Sequence, residues 1–112
     1  AELEQLENLY RQAANCYESL ANAQLIGQDY PDLLWKAIQC YAQSQDYQKS
    51  NQLADRFINV MPRFDQPKAL LQKAKNYSNA EQPLSALDAL QRCVAIAPDH
   101  PSSYEARLFA AQ

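Results

Sequence analysis

Glycine is almost missing from this chain: Gly27 is the only one in 112 residues. Phosphate-cradling loops and dinucleotide fingerprints need several glycines to let the backbone approach the ligand, so both are excluded. Histidine is also single (His100), and Cys16, Cys40 and Cys93 stand far apart with no C-x-x-C spacing. A zinc site needs about four such ligands, so no metal and no other cofactor is expected. No stretch approaches the roughly 18 consecutive apolar residues of a membrane span, and no apolar segment at the start marks a signal peptide. Positive charge is not in excess either. Ten Lys and Arg against 13 Asp and Glu leave a net charge of −3, which argues against a nucleic-acid partner. The chain starts at Ala1 and has its only Met at 61, so it is expected to be processed or excised from a longer protein.

Six helical stretches are present. Glu2 to about Ile26 has no Gly or Pro, with Gly27 as its expected C-terminal stop. Pro31 opens a second stretch to about Ser44, since a missing N–H costs nothing in the first helical turn. Asp46 is the expected N-cap of a third, Tyr47 to about Val60, ended by Pro62. Asp65 and Pro67 start a fourth, to about Ser78; Pro83 starts a fifth, to about Ala97; Asp99 and Pro101 start a sixth. Strand-like alternation is missing, so the fold class is all-α. Glu2, Glu4 and Glu7 complement the first helix's dipole.

The chain also repeats itself. Leu34, Ile38, Tyr41, Ser50, Ala54, Phe57, Ile58 and Pro62 recur 36 residues later as Leu70, Ala74, Tyr77, Ala86, Leu90, Cys93, Val94 and Pro98. A period of this size signals stacked helix pairs, none of which can bury its apolar face alone. Within a unit, Leu34, Tyr41, Tyr47, Ser50 and Pro62 resemble the tetratricopeptide (TPR) pattern of large, aromatic, small and proline positions. Leu70, Ala74, Tyr77, Ala86, Cys93 and Pro98 repeat the resemblance, and Tyr104 begins a third round. Departures are Ile38, Gln45, Ala74 and Glu81 where the family has glycines, large Phe57 where it has a small residue, and the longer linker Arg63–Pro67. The first helix fits either as a second-of-pair helix (Tyr10, Ala13, Tyr17, Leu20) or as a first-of-pair helix (Tyr10, Ala13, Ala14, Tyr17).

The resemblance implies one domain over 1–112: a right-handed superhelical stack of antiparallel helix pairs with a partial repeat at 1–30, repeats at 31–64 and 65–98, and a further start at 99–112. It implies a protein-binding module whose first-of-pair helices line a concave face. Asp32, Trp35, Gln39 and Ala42, then Lys68, Leu71, Lys75 and Ser78, are the residues it points there. A partner peptide or helix is expected to bury apolar groups on Trp35 and Leu71, with Gln39, Gln43, Lys68 and Lys75 giving polar register. Arg11, Asn15 and Lys68 only hint at the family's carboxylate grip, since Lys36 and Gln72 depart from it. The rivals are self-association through the C-terminal helix (Tyr104, Leu108, Phe109), and a small chaperone like those of bacterial secretion. No convergent polar set points to an enzyme. Cys40 and Cys93 occupy positions that are small and buried in the family, so the cysteines are expected to behave as core residues. Unpaired, they fit a reducing compartment such as the cytoplasm.

Overall fold

Helices α1 (Glu2–Ala23), α2 (Tyr30–Gln43), α3 (Tyr47–Val60), α4 (Pro67–Asn79), α5 (Pro83–Ile96) and α6 (Pro101–Ala110) make up the chain, with a 3-10 turn at Arg63–Asp65. The computed structural model describes residues 2–23 and 27–110, Phe64 by its backbone alone; no strand occurs among the described residues. Contacts divide the chain within α3 into two compact units, Ala1–Leu53 and Ala54–Gln112.

Prolines start α2, α4 and α5 in the first turn, as expected. Asp46 caps α3, its Oδ1 accepting the Lys49 N–H at 3.2 Å. Two expected caps are replaced. His100, not Asp99, precedes α6 and takes the Ser102 N–H on Nδ1 at 2.9 Å. Gln66 rather than Asp65 precedes α4 and makes no side-chain cap there. Its amide instead donates to Ile58 O and Met61 O, both at 3.1 Å, satisfying carbonyls at the end of α3.

The turns after α2 and α4 are the same object, 36 residues apart. Gln45 (φ 65°) and Glu81 (φ 61°) are left-handed, whereas Gly27, the expected stop residue, has no positive φ. In the first turn Gln45 N–H donates to Ala42 O and Asp46 N–H to Tyr41 O, both at 3.0 Å. In the second, Glu81 N–H donates to Ser78 O at 3.1 Å and Gln82 N–H to Tyr77 O at 2.8 Å. Each is a Schellman closure, which glycine would make without strain.

In the first unit α1 packs along α2. Ala14 and Ala21 are buried, Tyr10, Ala13 and Tyr17 half-buried, and α2 contributes Leu34, Ala37, Ile38 and Tyr41. The Tyr41 hydroxyl lies 2.6 Å from Asn15 Oδ1 and 2.5 Å from Glu18 Oε1, so its single proton serves a polar link between the two helices. Burial, then the hydrogen bond and charge of Glu18, push its phenol well above the usual tyrosine range. Ser50 of α3 closes on α2 by donating to Ile38 O at 2.9 Å.

In the second unit α4 is the middle element, packed by α5, α6 and the 3-10 turn. Leu70, Leu71, Ala74, Ala89, Leu90, Cys93 and Ala106 form its buried cluster, flanked by Ile58, Tyr77, Val94, Ile96 and Phe109. Cys93 Sγ contacts Pro67 O at 3.3 Å, and the buried Ser103 hydroxyl lies 2.5 Å from Ala97 O and 3.1 Å from Cys93 O. One serine hydroxyl thus adds a donor at the carbonyls that end α5, which also accept the Ala97 and His100 N–H groups.

Two outcomes are expected. Gln45→Gly and Glu81→Gly should each raise the urea midpoint, by about 0.5–1 kcal/mol in stability, while valine at either site should lower it. Tyr41→Phe should cost about 1–2 kcal/mol. Because the folded phenol is held above the unfolded value of about 10, its contribution is present below that pH and lost as pH rises beyond it. The variant should therefore show a flatter stability decline above about pH 10.

Candidate protein-binding faces

On α2 the buried row Leu34, Ala37, Ile38 and Tyr41 leaves another face to solvent. Asp32, Lys36, Gln39 and Gln43 are exposed there, spaced at three and four residues, and Trp35 beside them is half-buried. This face offers an indole with two neighbouring amides, each able to donate and accept. Lys36 Nζ also sits 5.8 Å from the Tyr17 ring centroid.

The corresponding face of α4, in the other unit, differs from the expectation. Leu71 is 4% exposed and belongs to the buried cluster. Its sequence position suggested an apolar group that the core could spare. Leu71 shares its cluster with Ala89, Leu90 and Cys93 of α5 and Ala106 of α6, so the core claims it too. Lys75 does not stand ready for a ligand carboxylate: its Nζ lies 2.9 Å from Glu105 Oε1 on α6. Lys68 is half-buried with Nζ 5.1 Å from the Phe57 ring centroid. Asn15, part of the hinted carboxylate grip, is the acceptor for Tyr41. Trp35, Gln39 and Gln43 thus lie together on one helix, and Lys68, Leu71 and Lys75 on another.

Lys73 is a feature that periodicity alone did not single out. It falls in the core row of α4, 7% exposed, and its Nζ bonds Asp55 Oδ1 at 2.6 Å and lies 5.9 Å from the Tyr77 centroid. Its partner carboxylate is largely solvated, so screening moderates the pair's worth. A polar hollow of about 300 Å³ opens beside it, lined by Tyr77, Leu84, Asp88 and Arg92 among others. A second groove of about 330 Å³, nearly all apolar, runs between α5 and α6 along Leu87, Leu90, Val94, Ala106 and Ala110.

The cysteines separate by burial. Cys93 is buried, Cys40 half-buried and Cys16 exposed, so the core expectation does not hold for Cys16. Burial pushes both the Cys40 and Cys93 thiols up, the latter partly offset by Ser103. Among the described residues no group of three or more His, Cys, Asp or Glu could hold a metal ion, and no helix is long and apolar enough to cross a membrane.

Comparison with known proteins finds no matching family model, no matching curated protein and no matching solved structure.

Thiol labelling checks the assignment of these environments. A neutral maleimide should modify Cys16 first, Cys40 more slowly, and Cys93 only as the second unit opens. Rapid labelling of Cys93 in the folded protein would contradict its place in the cluster.

Proposed function

We propose that this chain is a protein–protein interaction module that holds a peptide or helix of a partner on the face of α2. The observation that carries it is Trp35, half-buried beside exposed Gln39 and Gln43 on a helix whose core row is already complete. An indole at the edge of a solvated amide face is the composition of an interaction anchor. The amides suit the backbone of an extended peptide or the polar flank of a helix. Lys68 and Lys75 lie on α4 in the other unit and are not part of this face; the ion pair with Glu105 limits what Lys75 can give any ligand there. Leu71 is not proposed as a contact.

The architecture proposed with this function is a right-handed stack of antiparallel helix pairs of the TPR type. It is supported by the 36-residue period and by the paired left-handed turns at Gln45 and Glu81.

Trp35 is the only tryptophan, so its fluorescence reports directly on this face. Peptides selected from a random library on the immobilised protein should shift the Trp35 emission. Trp35→Ala should weaken them by about 2 kcal/mol while the melting temperature stays within a few degrees. Selected peptides that leave the emission unchanged and bind Trp35→Ala equally well would overturn the assignment.

A further inference from the structure

In the first turns of α2, α4 and α6 stand Pro31, Pro67 and Pro101, and the residues three, six, seven and ten positions on form one row in each. In α2 the row is Leu34, Ala37, Ile38 and Tyr41, all buried. In α4 it is Leu70, Lys73, Ala74 and Tyr77, the first three buried and Tyr77 packed on the cluster to which α5 contributes Ala89, Leu90 and Cys93. In α6 the described part of the row is Tyr104, Arg107 and Leu108. Here it faces solvent: Tyr104 is 54% and Leu108 70% exposed.

A complementary row lies open at the other end of the sequence. The helices α3 and α5 each bury a pattern of one small residue followed at three, four and seven positions by further buried groups: Ser50, Leu53, Ala54, Phe57, and Ala86, Ala89, Leu90, Cys93. In α1 the same pattern reads Ala13, Cys16, Tyr17, Leu20. The α5 residues lining the groove with α6, Leu87, Leu90, Gln91 and Val94, correspond to Ala14, Tyr17, Glu18 and Ala21, all buried or half-buried in α1, as Ala13 is. The α5 residues Ala89 and Cys93, buried in the cluster with α4, correspond to Cys16 and Leu20. Cys16 is exposed and Leu20 is 48% exposed.

From this matching of open rows we infer that the chain associates head to tail, α1 of one copy closing on α6 of the next. The occupant of the α6 face is thus a second copy, through the helix that carries the closing pattern. Antiparallel packing, as in each helix pair joined by a short turn, sets Tyr104 against Leu20 and Leu108 against Cys16 and Tyr17. The incoming helix would also roof the apolar groove between α5 and α6. Because two different surfaces meet, the contact is heterologous and propagates into an open series or a ring. This inference does not depend on a peptide site at α2.

The test uses Leu20→Glu and Leu108→Glu, both at exposed positions, with Cys16→Lys and Tyr104→Glu as second choices should either first variant lose its wild-type helicity. In analytical ultracentrifugation the wild type should grow beyond a dimer as concentration rises. Each variant alone should need at least about tenfold higher concentration to associate. Mixed one to one, the two variants retain one intact α1 and one intact α6 between them. They should form a two-copy complex and nothing larger. A wild type that stays monomeric at millimolar concentration, a loss of association in only one variant, which marks a like-with-like contact, or a mixture that remains monomeric would each overturn the proposal.

Discussion

Everything in this chain depends on the closing of one helix's apolar row by its neighbour. The helices are short, 10 to 14 residues apart from α1 at 22, and helices of that length are marginal in water by themselves. Their stability therefore comes from burial against adjacent helices. In the second unit α4 has neighbours on two sides and buries seven of its 13 residues; α6 buries only Ser103 and Ala106. The Schellman turns at Gln45 and Glu81 serve the same constraint by folding each helix back onto the one before it.

The number of neighbours explains what was legible in the sequence and what was not. Proline placement and missing alternation were enough for the six helices and nearly all their starts, because those signals are local. The 36-residue period placed Leu34, Ile38, Tyr41, Leu70 and Ala74 together in buried rows, because periodicity reports which residues share a face. It does not report how many faces a helix must cover. Leu71 was therefore read as spare, although α5 and α6 together make it core, and Cys16 was read as core, although it is exposed. The caps at His100 and the rerouted amide of Gln66 escaped for a different reason. Each depends on where a side chain finds a partner beyond the first helical turn, and Asp99 and Asp65 were the stronger capping residues by propensity alone.

Charge is arranged around the same rows. Lys73 enters the core row of α4 and is kept there by Asp55 and the Tyr77 ring, and Lys75 is drawn to Glu105 where α6 meets α4. Both cations are thus occupied by the fold, and the partner site proposed above rests instead on the indole and amides of α2. The hydroxyl of Tyr41 plays the analogous part in the first unit, its one proton placed between the Asn15 and Glu18 oxygens.

Native-state hydrogen exchange tests the dependence on neighbours most directly, because it reads opening free energies helix by helix. If burial by adjacent helices sustains each element, the amides of α4 should exchange slowest in the second unit, α5 next and α6 fastest, and dilution should speed exchange in α6 and in the exposed side of α1. Protection in α6 equal to that in α4 at low concentration would contradict it, since α6 would then be stable without the neighbour its open row calls for.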